Sequence, residues 1–223
     1  DWIGGARLAV RRGMTGATGN IYCGLHEYVD MSFVLDRLEP GDLFVDIGAN
    51  VGSYTILASK VRGARTISVE PDPQTAQALR RNIEVNGIRD KVRVVEAALG
   101  ATDGTVSFTT GRDTVNRVAR AGDTETRPVS LTTLDQVLGG EVPKIIKIDV
   151  EGFEAEVFKG AARTLEDARL RAVITEAQDA HVLGMLTRTG FQLVHYDPRR
   201  QTIGKKPAFS SSNALMVRDA LTG

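Results

Sequence analysis

The sequence predicts an α/β fold built on a parallel sheet, and three features carry that prediction. Strand and helix signals alternate from residue 43 onward. The strand signals are short apolar runs rich in Val and Ile, as buried parallel strands require. The first run, Leu43–Ile47, passes directly into Gly48-Ala49-Asn50-Val51-Gly52, a glycine turn that opens a helix.

Residues 1–40 read as an N-terminal extension and residues 41–223 as the domain that holds the sheet. In the extension, Met31, Val34, Leu35 and Leu38 place one apolar stripe on a helix that Pro40-Gly41 ends. That helix either covers a sheet edge or roofs a pocket, since Gly24-Leu25-His26-Glu27-Tyr28 immediately precedes it. After the first strand, Tyr54, Leu57, Ala58 and Val61 recur at helical spacing. The second strand, residues 66–69, ends in Glu70-Pro71. Asp72 then suits a helix cap, Pro73 the first helical position and Gly87 the exit, with Ala76, Leu79 and Ile83 as the buried stripe.

The third strand, Val92–Val95, ends at Glu96. Residues 100–127 break the rhythm, being rich in Gly, Thr, Asp and Arg, with one strand expected at Val106-Ser107-Phe108. A loop this long inside a compact domain is usually functional or mobile. Residues 129–131 read as a short strand and 132–138 as a helix. The fourth strand, Ile145–Ile148, runs into Asp149-Val150-Glu151-Gly152. The next helix buries Ala155, Phe158, Ala162 and Leu165, and the fifth strand, Ala172–Thr175, ends at Glu176. A helix near residues 182–189 precedes a closing hairpin pair, 191–195 with Ala214–Val217.

The 223 residues carry 28 basic and 28 acidic side chains, so no net charge advertises nucleic acid or another polyanion as partner. The doublets Arg11-Arg12, Arg199-Arg200 and Lys205-Lys206 read as solvated surface. The lone cysteine, Cys23, excludes an internal disulfide and is expected to be a small buried side chain in a reducing compartment, with a cytoplasmic location the expectation. No apolar run approaches the roughly 18 residues of a membrane span, so no membrane partner is expected.

In an open α/β sheet the ligand sits beyond the carboxyl ends of the strands. Asp46, Glu70, Glu96, Asp149 and Glu176 stand at those ends and together form an acidic rim. Glycines 48 and 52 let the main chain approach a ligand, and Glu70 lies near the roughly 20-residue offset at which an acid takes ribose hydroxyls. Nicotinamide dinucleotides and S-adenosyl-L-methionine (SAM) both fit this plan. Asn50 occupies the place of the second dinucleotide-motif glycine, and Asp46 would repel a pyrophosphate, so the pattern favours SAM. A nicotinamide-dependent oxidoreductase remains the disfavoured alternative.

In that order, the residues Asp46-Ile47-Gly48-Ala49-Asn50-Val51-Gly52, Val69-Glu70-Pro71-Asp72, Glu96-Ala97-Ala98-Leu99-Gly100 and Lys147-Ile148-Asp149-Val150-Glu151-Gly152-Phe153-Glu154 resemble the FkbM family of SAM-dependent methyltransferases. The match spans roughly residues 27–218. The resemblance implies a class I methyltransferase, Rossmann-like fold: a seven-stranded, mostly parallel sheet with helices on both faces and an antiparallel last strand. It also implies O-methylation of a hydroxyl on a sugar, a glycan or a polyketide-type metabolite, with S-adenosyl-L-homocysteine (SAH) as the other product. An N-methyltransferase is the alternative, weakened because Asp149-Val150-Glu151-Gly152 stands where such enzymes often carry an Asn/Asp-Pro-Pro-aromatic turn.

Asp46 is expected to reach the methionine ammonium, directly or through water, and Gly48 and Gly52 to give backbone approach. Asn50 holds the turn or reaches the cofactor carboxylate, Glu70 takes both ribose hydroxyls beside Pro71, and Glu96 and Ala97 border the adenine. Asp149 is the first candidate for a base toward the acceptor hydroxyl, or else the holder of the cofactor's amino group. Glu151 and His26 follow it, because a positioned base is worth about 10²–10⁴ in rate. Asn116 and Arg117, on the lid expected over residues 109–127, together with Glu176 and His181, are the candidate acceptor contacts. Asp149, Glu151 and Glu176 offer oxygen ligands of the sort magnesium takes, but no spacing demands a metal and none is expected.

Overall fold

Leu43–Ile47 forms β1, whose five side chains are all buried, and successive residues supply opposite faces of the sheet. Val45 and Ile47 enter one core, while Phe44 enters another on the far side. The computed structural model describes residues 1–10, 15–111, 116–177, 179–204 and 211–218. The Arg11-Arg12 and Lys205-Lys206 doublets lie outside the described residues.

The other strands are β2 (Arg65–Val69), β3 (Val92–Val95), β4 (Ala98–Leu99), β5 (Gly104–Thr109), β6 (Thr126–Thr132), β7 (Ile145–Ile148), β8 (Ala172–Thr175), β9 (Gln192–Asp197), β10 (Thr202–Gly204) and β11 (Ala214–Val217). The main sheet runs β10-β9-β11-β8-β7-β1-β2-β3. β3, β2, β1, β7 and β8 are mutually parallel, and β11 is antiparallel to both β8 and β9. Chain order reverses between β1 and β7, which makes their carboxyl ends the switch point where ligands bind in such sheets.

The sheet has eight strands where seven were expected. The addition is β10, which folds back on β9 with Thr202 opposite Asp197. Its turn contains Gln201 at φ 56°, and three half-polar residues give no alternation from which a strand can be read.

The helices are α1 (Thr15–Cys23), α2 (Tyr28–Arg37), α3 (Ser53–Ile56, continued by the π-turn Leu57–Val61), α4 (Pro73–Val85), α5 (Leu134–Leu138), α6 (Glu154–Lys159), α7 (Ala162–Glu166) and α8 (Ala180–Arg188). Asp72 caps α4 by accepting from the amides of Gln74 and Thr75, a contact worth about 1 kcal/mol. One core packs Leu134, Phe158, Leu165, Leu186 and Phe191 against Val45, Ile47, Ile146 and Ile148. The other packs Met31, Phe33, Val34 and Leu57 against Phe44, Ile145, Ile174 and Tyr196. α2 therefore belongs to the body of the fold although it precedes the sheet. A second, three-stranded sheet runs β4-β6-β5, with β5 and β6 antiparallel. Cys23, the last residue of α1, is exposed rather than buried.

Candidate active site

The turn after β1 is held by close packing of backbone on backbone. Gly48 has φ 74°, and a Cβ placed on it would lie 1.9 Å from the carbonyl oxygen of Asp149. No other residue fits there without moving β7. Gly52 has φ 94° and precedes α3, where a Cβ would meet Leu79 at 2.5 Å. Between them Asn50 takes φ 51°, and its side-chain oxygen accepts from the Val51 amide at 2.7 Å. Glu151 is likewise left-handed at φ 55°. Such backbone in a non-glycine residue costs about 1–3 kcal/mol and concentrates at functional sites.

Glu70 is only 6% exposed. One carboxylate oxygen accepts from the Asn50 amide at 3.0 Å, the other from the Asp72 amide at 2.9 Å. The turn and the end of β2 thus fix its plane. Burial pushes its pKa up to about 7, against the opposing pull of those two amides. Around it lies a cleft lined by Pro71, Asp72, Ala97, Leu99, Phe108, Asn116, Val118 and Phe153 among others. The small sheet supplies one wall through Phe108, and Arg127 of β6 pairs with Asp72 at 2.8 Å.

A second chamber adjoins the first, and Gly48, Asn50, Asp149 and Glu151 line both. Asn20, His26, Glu27, Met31, Ser53, Tyr54, Lys147 and Glu176 also line it. The N-terminal segment therefore roofs this chamber, tied down by Asn20, which donates to Ser53 Oγ and accepts from the His26 amide.

Lys147 stands mid-strand among isoleucines, and the parallel register sets it beside Asp46 of β1. Its Nζ donates to Asp149 Oδ2 at 2.8 Å and lies 5.1 Å from the Tyr54 ring centroid. Burial pulls its pKa down, but Asp149, Asp46 and Glu27 outweigh burial and hold the ammonium above its ordinary value. Burial likewise pushes Asp149 up, and Lys147 overrides it, leaving that carboxyl below its ordinary value. Glu176 goes the other way: burial, the Asp149 charge and their hydrogen bond push it up to about 7. Burial, then Asp149 and Glu154, raise Glu151. The carboxylate oxygens of Asp149, Glu151 and Glu176 lie within 4.8 Å of one another, an arrangement that suits a hard cation or a cationic ligand.

The remaining expected residues fall elsewhere. Asp46 is 1% exposed and lines neither cavity; its Oδ2 accepts from the amide and hydroxyl of Thr55, and Oδ1 has no partner. Glu96 is exposed and ion-paired with Arg80, while Ala97 faces the cleft. Asn116 lines the first cleft rather than the second chamber. Arg117 pairs with Asp123, and Arg120 donates to the Glu151 carbonyl at 3.0 Å. His181 is exposed on the first turn of α8, outside both cavities. Arg112 of the expected lid lies outside the described residues. Sequence reasoning missed Glu27 and Lys147 as site residues. A lysine inside an apolar parallel strand was the available signal for the second.

Residues 46–193 match the family described as the methyltransferase FkbM domain. The hexuronic acid methyltransferase AglP of Haloferax volcanii is 28% identical over 136 residues, 60% of this chain and 55% of that protein. The methyltransferase sdnD of Sordaria araneosa is 25% identical over 171 residues, 60% of this chain and 65% of that protein. The chain thus matches less than two thirds of the length of either relative. Among solved structures, the METTL16 methyltransferase domain superposes with a TM-score of 0.57 over 97% of this chain and 74% of its own, at 14% identity. A precorrin-6Y C5,15-methyltransferase from Geobacter metallireducens superposes with 0.52 over 95% and 92%, at 16% identity. These likenesses share the class I methyltransferase fold, and the family match covers well over half of the chain. The chain belongs to the FkbM family of methyltransferases.

Proposed function

We propose that the protein is a SAM-dependent O-methyltransferase acting on a hydroxyl of a carbohydrate or secondary metabolite. The single observation that carries this reading is Glu70, a buried carboxylate fixed by two backbone amides at the mouth of the switch point. Each of its oxygens keeps a lone pair free for one hydroxyl of a ribose diol. The apolar cleft beside it, with Pro71, Ala97 and Phe108, accepts a flat base, and Asn116 stands where an adenine edge would be read.

SAM, when bound, supplies a methyl carbon already activated by a positive sulfur. The residues at hand fit such a cation, since Asp149 and Glu151 line both cavities. The turn after β1 offers no glycine-rich cradle for a pyrophosphate, since Asn50 occupies that position and hydrogen-bonds its own turn. The chain's work is to hold acceptor and donor in line and exclude water, which contributes up to roughly 7–11 kcal/mol. Asp149, kept ionised by Lys147, and Glu151 beside it are the groups placed to take the acceptor proton, with His26 facing them from the roof.

The sugar named in the description of AglP favours a carbohydrate acceptor. Incubation with methyl-labelled SAM and a pool of glycans and polyketides is expected to label a hydroxyl. Asp149→Asn should lower turnover more than tenfold. Absence of label in every acceptor, or near-normal turnover in that variant, would count against the reading.

A further inference from the structure

The second chamber is lined by the carboxylates of Glu27, Asp149, Glu151 and Glu176. Its basic lining side chains are His26 and Lys147, and Lys147 is already committed to Asp149 and packed on Tyr54. The guanidinia nearest Glu151 are also engaged, Arg117 with Asp123 and Arg120 with a carbonyl oxygen. Tyr54 lines the chamber at 4% exposure, and its hydroxyl has no hydrogen-bond partner. Behind the chamber wall, Asp30 Oδ1 and Asp46 Oδ1 are buried without donors. Burial without a donor is costly for such groups. The chamber therefore holds more carboxylates than basic side chains, together with the unpartnered Tyr54 oxygen. A bound SAM carries a net single positive charge, which together with Lys147 leaves the carboxylates in excess.

We infer that this chamber selects an acceptor bearing a protonated amine beside its hydroxyl, an aminosugar in the carbohydrate case, over a uronate or a phosphorylated sugar. The inference rests on the methyltransferase reading above and narrows its substrate class. An ammonium supplies donors to Glu27, Glu176 and the Tyr54 oxygen and relieves the crowding of like charges. A carboxylate or phosphate adds to that crowding, and the Lys147 ammonium that would receive it is already held by Asp149. The chemistry at the hydroxyl is unchanged: its oxygen bonds to the methyl carbon, the C–S pair returns to sulfur, and its proton passes to a chamber carboxylate. The selectivity thus differs from the hexuronic acid named for AglP.

The test uses the full chain, methyl-labelled SAM and three probes, the methyl glycosides of glucosamine, glucose and glucuronic acid, with SAH affinity measured in parallel by calorimetry. The expected result is a kcat/KM for the glucosaminide at least tenfold above that for the glucuronide, shrinking as salt is raised. Glu27→Gln should narrow that ratio. A glucuronide used as well as the glucosaminide, or no transfer to any probe by a protein that binds SAH, would overturn the inference and leave the methyltransferase reading standing. Failure to bind SAH would remove both.

Discussion

At the scale of single residues, the proposed cofactor site rests on Gly48 and Glu70. For Gly48→Ala, a positive φ costs about 1–3 kcal/mol in any residue but glycine, and the contact with the Asp149 carbonyl adds to it. A fall in unfolding free energy of more than about 2 kcal/mol is expected from denaturant titration, together with weaker SAH binding. Glu70→Gln should leave the fold intact and weaken SAH binding by about 1.5–3 kcal/mol, the worth of hydrogen bonds to a charged group. Unchanged affinity would remove Glu70 from the ribose. The pH dependence follows from the same side chain. Its folded pKa, about 7, exceeds the ordinary 4.5, so the folded state holds the proton more tightly. Stability from this group accordingly declines as pH rises from about 4.5 to about 7. SAH affinity should rise with pH through about 7, because only the ionised carboxylate accepts from both hydroxyls, and Glu70→Gln should abolish that rise.

At the scale of elements, the walls of the site come from segments whose roles were hardest to read. The β1 turn was legible because glycines, an acid and a five-residue apolar run stand in direct succession. β5 and β6 were legible only as the fragments 106–108 and 129–131. Their side chains alternate between a small satellite core and solvent, so Thr, Arg and Pro outnumber the apolar residues that mark a strand. Phe108, at 6% exposure, faces the cleft from that sheet. Phe108→Ala is expected to weaken SAH binding roughly tenfold, given about 0.5–1.5 kcal/mol for aromatic contact beyond area burial. An affinity equal to that of the unaltered protein would place the base elsewhere. The roof was half legible: Met31, Val34 and Leu38 announced α2, but its contact with the chamber through Glu27 depends on a tertiary hydrogen bond to Asn213 that no local pattern encodes. Asp46 and Lys147 meet only through the β1–β7 register, across about a hundred residues of chain, so their pairing was invisible before the sheet was assembled.

Across the whole molecule, the strand order sets the chemistry. Reversal of chain order between β1 and β7 opens the crevice, and the two cavities lie on either side of Gly48 and Asp149 where those strands end. The sheet was predictable because its parallel strands are short, buried and bounded by polar turns. The extra β10 was not, because a three-residue edge strand needs only its partner's backbone. Among the described residues, no helix is long and apolar enough to cross a membrane. The direct measurement is calorimetric titration of the folded protein with SAH and, separately, with NADH. One-to-one binding of SAH with no heat from NADH is the expected result; tight NADH binding with none of SAH at millimolar concentration would contradict a crevice shaped for a sulfonium nucleoside.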